Sequence, residues 1–226
     1  MTLLRRIFNS FKRHGLKVSL LKLYITLVDH WFDFRHGTDT CRWMLLQNLN
    51  ISSRNKERGV RYEPARIVLL RKMFECMTPM LPTGGVMVDL GSGKGRVLLI
   101  ASEFGFREAC GVEFAPELCA IARNNFARYK ESTNTKTVFR IIESDVVDYA
   151  IRNDDNVFVM FNPFDDVVLS KVLENIASSL LQYPRRILIG YYSPQHNETI
   201  ARHGGFAPVE DVNFWGYHFT IYSNAG

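Results

Sequence analysis

The pattern of apolar and polar residues changes near residue 84 of this chain. Beyond that point, short apolar runs typical of buried strands are separated by segments whose apolar residues recur at helical spacing. The strand-like runs are GGVMVDL, EACGVE, TVFRIIE, NVFVMF and RRILIGYY. The clearest helical stripe joins Leu169, Val172, Leu173, Ile176 and Leu180. This alternation predicts parallel strands connected by helices that cover both faces of one sheet.

The pattern ends differently from how it begins. The runs PVEDVNFW and YHFTIYS meet at Gly216 without a helix between them, which predicts an antiparallel hairpin at the end of the sheet. Before residue 84, helical periodicity dominates, in 16–31 and again in 67–77. We therefore predict an α/β fold with a seven-stranded, mostly parallel sheet, and a helical N-terminal extension. The predicted division is an extension or lid over residues 1–60 and a main domain over 61–226.

Charge is distributed unevenly between these two parts. The chain carries a net charge of +5, and no acidic residue precedes Asp29. Basic residues are concentrated in the extension and at the start of the main domain, among them Arg5, Arg6, Lys12, Arg13, Lys17, Lys22, Arg54, Lys56, Arg58, Arg61 and Arg66. Such a segment favours an acidic protein face, a nucleic acid or an anionic membrane surface as partner, and a solvated helix face is the alternative.

Composition excludes several other classes. With 46% hydrophobic and 23% charged residues, the chain is in the globular range, and no apolar run reaches the roughly 18 residues of a membrane span. The four cysteines, Cys41, Cys76, Cys110 and Cys119, form no C-x-x-C pair and have no histidine at metal-ligand spacing. We expect no metal site, and thiols kept reduced in the cytoplasm.

The segment VDLGSGKGR, residues 88–96, follows a predicted strand and opens a predicted helix. Glycines allow the sharp turn, and the first amides of the helix can face an anionic group. A P-loop is excluded because Gly95, and not Ser or Thr, follows Gly93 and Lys94. A dinucleotide loop is disfavoured because its glycines follow a G-x-G-x-x-G spacing, whereas these stand at 91, 93 and 95.

The remaining pattern, an acidic residue followed by G-x-G-x-G, resembles the S-adenosylmethionine loop of class I methyltransferases. Glu113 at the end of the second strand, Ser144-Asp145-Val146 after the third and the terminal strand pair extend the resemblance from about Tyr62 to the C-terminus. It implies a Rossmann-like sheet and S-adenosylmethionine as cofactor. Glu113 would accept the ribose hydroxyls, Asp145 would accept the adenine amino group, and the backbone of Val146 would read the ring. The implied cofactor-binding residues are Tyr62, Glu63, Asp89, Gly91, Ser92, Gly93, Gly95, Glu113, Asp145, Val146 and Asn162. Because this cofactor has no phosphate, Lys94 and Arg96 are not obvious ligands, and solvated side chains at the helix start are an equal alternative.

Asn162-Pro163-Phe164, after the fourth strand, resembles the N-P-P-Y motif of amino-group methyltransferases, with one proline and with Phe in place of Tyr. The Asn162 oxygen and nearby carbonyls would accept the N–H groups of an amine and leave its lone pair facing the methyl group. Pro163 would fix the turn, and Phe164 would pack against the substrate or face the sulfonium. A strand-ending turn without chemistry is the alternative. We see no His-Asp pair that would activate a hydroxyl, which favours N-methylation.

Arg61-Tyr62-Glu63-Pro64 resembles the Y-x-P segment that precedes the core of seven-strand protein lysine methyltransferases, where it helps cover the cofactor. The order of FDFRHGTDT, YEP, DLGSGKGR and NPF also resembles bacterial methyltransferases without an assigned substrate. That comparison implies a lid over the active site formed in part by residues 35–40, and a solvated loop is the alternative.

The sequence thus predicts an S-adenosylmethionine-dependent methyltransferase that modifies a protein amine, with lysine favoured. Two alternatives stay open: a small-molecule or lipid-linked methyltransferase at a membrane surface, with peripheral contact through the N-terminal helices, and a non-catalytic binding subunit. Nucleic acid is the less favoured substrate because no nucleic-acid-binding module is recognisable.

Overall fold

The computed structural model describes residues 3–45, 49–53, 55, 62–81, 84–162, 164–203 and 205–224, with side chains in the first helix from residue 16 onward. The helices are α1 (Leu3–His36), α2 (Ile67–Met77), α3 (Arg96–Ala101), α4 (Pro116–Ser132), α5 (Asp166–Gln182) and α6 (Asn197–His203). The strands are β1 (Val86–Leu90), β2 (Glu108–Glu113), β3 (Val138–Glu143), β4 (Asp155–Met160), β5 (Leu188–Tyr192), β6 (Phe206–Phe214) and β7 (Tyr217–Asn224).

The seven strands form one sheet in the order β3-β2-β1-β4-β5-β7-β6. Strands β1 to β5 pair in parallel, whereas β7 is antiparallel to both β5 and β6. The predicted fold class is therefore confirmed, including the terminal hairpin. Two details differ from the prediction: the helix expected from Gly95 to Phe104 ends as a 3₁₀ turn at Ser102–Phe104, and the short helix α6 was not predicted.

Neighbouring residues of the central strands point to opposite faces, and each face is covered by its own group of helices. Met87 and Val157 belong to a core cluster with residues of α2, α3 and α4, while Val88 and Phe158 belong to a second cluster with residues of α5 and α6. Both clusters consist of buried side chains, which is what a parallel sheet needs, because its strands bury both faces.

Helix α1 lies against the first of these two layers. Phe32 is buried in the same cluster as α2 and α4, and its ring stacks on Tyr129 of α4 with ring centroids 5.7 Å apart. Asp29 is also buried; its carboxylate accepts from the Arg66 guanidinium and from the backbone amide of Ile67, the first residue of α2. Within the part of the chain that the structure describes, no helix is long and apolar enough to cross a membrane.

Candidate functional site

Four of the predicted site residues stand at the carboxyl ends of four adjacent strands. Asp89 is the penultimate residue of β1, Glu113 is the last residue of β2, Asp145 follows β3, and Asn162 follows β4. Because β3, β2, β1 and β4 are neighbours and run in parallel, these side chains share one edge of the sheet. In open α/β sheets, ligands bind at this edge, outside the strand ends.

The glycine loop between β1 and α3 has a backbone conformation that is unfavourable for residues with a side chain. Gly91, Gly93 and Gly95 all have positive φ angles, of 82°, 53° and 82°. A Cβ at Gly93 would lie 2.3 Å from ring carbons of Tyr62, and one at Gly95 would lie 2.5 Å from the ring of Phe126. Glycine is therefore needed at both places for conformation and for space.

Glu113, at the end of the neighbouring strand β2, is hydrogen-bonded to the glycine loop. Its two carboxylate oxygens accept hydrogen bonds from the backbone amides of Gly93, at 2.8 Å, and Ala115, at 3.0 Å. Burial raises the pKa of Glu113 to about 7, and the hydrogen bonds from Ala115 and Gly93 oppose this rise. Glu113, which the sequence predicts to bind the ribose, therefore also helps to fix the backbone conformation of the glycine loop.

Two buried polar atoms beside Glu113 have no hydrogen-bond partner among the described residues: Oδ2 of Asp89 and Oγ of Ser92. Burial, and to a lesser extent the charge of Glu113, raises the pKa of Asp89 well above its ordinary value. Leaving such atoms unpaired inside a protein costs about 1–3 kcal/mol each. Both residues line a small cavity that also borders Tyr62, Glu63 and Glu113, so a ligand there could satisfy them.

The carboxylate of Asp145 is engaged by the segment that precedes the main domain. Its Oδ2 accepts from the hydroxyl of Ser53 and from the side-chain amide of Asn55, the latter at 2.9 Å, and its Oδ1 accepts from the amide of Val147 at 3.1 Å. Val146 and Phe164 line a second small cavity beside it. Ser53 and Asn55 thus occupy Oδ2, and a ligand that needs this oxygen competes with them, whereas Oδ1 keeps room for a further donor.

The two cations of the loop are buried, which contradicts the alternative that they are solvated. Lys94 is 0% exposed, and its Nζ lies 3.0 Å from the Asp39 carboxylate. Arg96 is 2% exposed and donates to the hydroxyl of Thr40 and the carbonyl of Ala65. Both cations are thus engaged by protein partners, Lys94 by the segment after α1 and Arg96 by Thr40 and Ala65, although Arg96 also borders the cavity at Asp89.

The predicted lid segment, 35–40, packs on α4 and on the glycine loop. The amide of Asp39 donates to the side chain of Asn125, whose Nδ2 in turn donates to the carbonyl of Lys94 at 3.0 Å. The guanidinium of Arg128 donates to the carbonyl of Gly37. The alternative of a solvated loop does not hold for these contacts. Asn125, Ser53 and Asn55 were missed by sequence reasoning, since polar residues in a helix and in a polar connection carry no periodic signal.

Tyr62 and Glu63 both border the cavity at Asp89. The hydroxyl of Tyr62 donates to the carbonyl of Thr40 at 2.8 Å, which holds the ring against the glycine loop. Glu63 is exposed and borders the cavity at Asp89.

Asn162 has an unusual backbone for a residue with a side chain, with φ at 39°. Its Nδ2 donates to the carbonyl of Ser193, at the end of β5, while its Oδ1 is buried and has no partner among the described residues. The adjoining ring of Phe161 meets Tyr192 edge-on, with centroids 4.4 Å apart. Non-glycine residues held in the left-handed region concentrate at functional sites.

The other two residues of the predicted catalytic turn are placed differently. Phe164 is buried in the core cluster formed with α5, on the side of the sheet edge that holds Asp145. Pro163 lies outside the described residues.

Comparison with known proteins supports the fold and gives one short sequence match. No family model matches the chain. The adenine nucleotide translocase lysine N-methyltransferase of Mus musculus is 54% identical over 39 residues, which are 17% of this chain and 17% of that protein. The match therefore spans only about a sixth of that relative.

Solved structures of methyltransferases share the architecture at low sequence identity. An RNA methyltransferase from Salinibacter ruber in complex with S-adenosyl-L-homocysteine has 21% identity and a TM-score of 0.52, over 71% of this chain and 93% of that chain. The magnesium protoporphyrin IX methyltransferase from Synechocystis, with bound S-adenosylmethionine, has 13% identity and a TM-score of 0.50, over 70% and 81%. The chain has the Rossmann-like fold that these methyltransferases share.

Proposed function

We propose that this protein is an S-adenosylmethionine-dependent methyltransferase that modifies an amine, and that the amine is a lysine side chain of a protein. The proposal rests on one observation above the others: Oδ1 of Asn162 is a buried acceptor with no partner among the described residues, at the sheet edge beside the glycine loop. A buried acceptor in want of a donor suits a substrate that carries N–H groups.

The acidic residues along the edge fit this cofactor and fit a phosphate-bearing one poorly. Asp89, Glu113 and Asp145 stand at three neighbouring strand ends, so a ligand that spans them has to offer hydrogen-bond donors or positive charge at three points. S-adenosylmethionine has an ammonium group, two ribose hydroxyls and an adenine amino group. Lys94 and Arg96, the cations of the loop, are already paired with Asp39 and Thr40.

We assign each group a binding role on that basis. Asp89 would pair with the ammonium end, Glu113 would accept the ribose hydroxyls, and Asp145 with the backbone of Val146 would hold the adenine. The positive φ angles of Gly91, Gly93 and Gly95 let the loop backbone approach the ligand, with Ser92 alongside. Tyr62 and Glu63 would cover it. When bound, the cofactor supplies the methyl group, carried on a sulfonium.

The chain's own contribution to the reaction is orientation. Oδ1 of Asn162 accepts one N–H of the amine, and the hydrogen bond from its Nδ2 to Ser193 fixes which way the amide faces. With one N–H held, the nitrogen lone pair points in a defined direction, which is catalysis by positioning. Beside Asn162, the ring of Phe161 borders the cavity at Asp89 and is supported from behind by the buried ring of Tyr192.

Two findings favour lysine over other amines. The short match of 54% identity is to a protein whose described activity is lysine N-methylation. The Tyr62-Glu63-Pro64 segment resembles the corresponding segment of protein lysine methyltransferases, and here it borders the cavity at Asp89.

The test is transfer of radiolabelled methyl groups from S-adenosylmethionine to the lysate of a strain that lacks the gene, followed by separation of protein, nucleic acid, lipid and small molecules. We expect a single labelled band that disappears on protease treatment, with the label on lysine by mass spectrometry. Label confined to lipid, nucleic acid or small molecules would refute the lysine assignment while leaving the methyltransferase assignment intact.

The Asn162→Ala variant tests the role of the acceptor. It should lower methyl transfer by about 100-fold or more, the range found when a positioned polar group is removed, while cofactor affinity by calorimetry stays within a few-fold. Asn153→Ala is the matched control, because Asn153 is exposed and precedes the amino end of β4, whereas Asn162 follows its carboxyl end. Equal loss of activity and cofactor affinity in Asn162→Ala would mean that the turn is only structural.

A further inference from the structure

From residue 16 onward, helix α1 has two apolar faces, and the described residues of the rest of the protein cover one of them and leave the other exposed. Ile25 and Phe32 are buried against the main domain, on one side of the helix. On the opposite side, a second apolar stripe recurs at steps of three and four residues. It consists of Leu16, Leu20, Leu23, Tyr24, Leu27, Trp31 and Phe34.

This second stripe is exposed to a degree that is uncommon for such residues. Leu27, Trp31 and Phe34 are 59%, 60% and 78% exposed. Single exposed apolar residues need no explanation, but a contiguous patch marks an interaction site.

The patch continues from α1 onto the tip of the β6–β7 hairpin. The ring of Trp215, itself partly exposed, meets Tyr24 edge-on with centroids 6.1 Å apart and stacks on Phe214 at 4.5 Å. A groove of about 880 Å³ between α1 and α2 is lined by Leu27, Trp31, Phe34 and Phe214, among others. One surface therefore combines a helix face, a groove and a hairpin tip.

The hairpin tip stands at the same edge of the sheet as the candidate site. Tyr192, the last residue of β5, is paired with Phe219 near the start of β7, so the β6–β7 turn lies at the carboxyl ends of the parallel strands. A surface that received this patch would consequently lie near the mouth of the site.

The charge of the same helix indicates what kind of surface that is. The first 28 residues contain six basic residues and no acidic one. An amphipathic helix that combines Lys and Arg with Leu, Trp and Phe on an apolar face lies in the plane of a membrane interface, and its affinity grows with anionic lipid. An acidic protein face would account for the charge but not for the exposed leucines and tryptophans.

We propose that α1 and the tip of the β6–β7 hairpin dock peripherally on an anionic lipid bilayer. Leu27, Trp31, Phe34 and Trp215 insert among the headgroups and first acyl carbons, and the net positive charge of the first 28 residues attracts the chain to the anionic surface. This docking is independent of the methyl acceptor, so it stands or falls separately from the proposed function.

The test is co-sedimentation of the full chain with vesicles of phosphatidylcholine containing about 30% phosphatidylglycerol, chosen to give an anionic surface. We expect binding to these vesicles, at least about tenfold weaker binding to phosphatidylcholine alone, and weakening by salt. Leu27→Glu and Trp31→Glu should each reduce binding by about tenfold, because each places a charge where the apolar face enters the interface. Leu181→Glu is the control and should bind like the wild type, because Leu181, on α5, is 87% exposed and lies outside the patch.

Three results would overturn the proposal. The first is absence of vesicle binding by the wild type, and the second is equal binding by Leu27→Glu, Trp31→Glu and Leu181→Glu. The third is a wild-type dimer in light scattering that becomes a monomer in Leu27→Glu, since the patch would then be covered by a second copy of the chain. Circular dichroism and thermal melting establish that each variant is folded before its binding is compared.

Discussion

The ring of Tyr62 lies directly on Gly93, so that a Cβ at residue 93 would fall 2.3 Å from two carbons of that ring. The hydroxyl of Tyr62 is held at the same time by the carbonyl of Thr40, which limits how far the ring can retreat. The glycine loop is therefore in contact with the segment that covers it, and a side chain at residue 93 affects both.

We expect Gly93→Ala to destabilise the protein and to weaken cofactor binding. Its cost combines the positive φ, about 1–2 kcal/mol for a residue with a Cβ, and the clash with Tyr62. Gly105→Ala is the control, because Gly105 has a φ of 77° but no atom lies within 4 Å of the place that a Cβ would take. Urea unfolding should give a larger loss for Gly93→Ala than for Gly105→Ala, and calorimetry should detect weaker cofactor binding only in the former. Equal losses in the free energy of unfolding would show that the ring of Tyr62 moves aside at no cost.

Glu113 should make the stability of the cofactor-free protein depend on pH. Its pKa in the folded state, about 7, lies above the ordinary 4.5, so the folded protein holds this proton more tightly than the unfolded chain. The free energy of unfolding should then fall as pH rises from about 4.5 to 7, by at most about 3 kcal/mol.

Glu113→Gln removes this titration, and urea unfolding at about pH 5 and about pH 7.5 should show a smaller fall in the variant than in the wild type. Asp89, whose pKa is also raised, keeps part of the fall. Glu131→Gln, at an exposed carboxylate on α4, should leave the wild-type dependence intact. A wild-type stability that is flat or rising across this interval would mean that Glu113 is already ionised in the folded protein at the lower pH.

Arg96 should be among the costliest polar residues to replace. It is buried with Asp29, 3.4 Å away, and donates to Thr40 and Ala65. Arg96→Met leaves these acceptors short of a donor, and breaking a buried charged network costs about 3–5 kcal/mol. Arg107→Met, which removes an exposed ion pair with Asp154, should cost below about 1 kcal/mol. Similar free energies of unfolding for the two variants would contradict the buried network.

Ser53 and Asn55 should compete with the cofactor for Asp145. Both donate to the same carboxylate oxygen, on the side chain that the proposal assigns to the adenine amino group. A Ser53→Ala, Asn55→Ala double variant should therefore bind S-adenosylhomocysteine a few-fold more tightly, about 1 kcal/mol for a lost competing hydrogen bond. Asn50→Ala is the control: Asn50 lies in the same segment as Ser53 and Asn55, but its side chain donates to Glu117 of α4 and not to Asp145. Weaker binding in the double variant would mean that Ser53 and Asn55 belong to the cover over the bound cofactor.

Much of the sheet could be predicted because its signal is local. Strands β1, β2, β4 and β5 each bury a short apolar run. The runs GGVMVDL, EACGVE, TVFRIIE and NVFVMF contain or closely overlap β1 to β4. The carboxylates at the strand ends could be predicted as well, since parallel strands bring their carboxyl ends to one edge. Helix α6, NETIARH, could not, because its seven residues contain no apolar stripe and no motif precedes them as the glycine loop precedes α3.

By itself, the sequence determined the order of the strands and of helices α1 to α5, the glycine loop and the acidic residues at the strand ends, since periodicity and turn chemistry act over a few neighbouring residues. Only the tertiary structure decided that Lys94 and Arg96 are buried, because their partners lie far away along the chain. Asp39, the partner of Lys94, follows α1, and Asp29, beside Arg96, lies within α1. The tertiary structure likewise decided that one apolar face of α1 is buried and the other exposed. Both faces have helical spacing, and which of them is covered depends on where α2 and α4 pack.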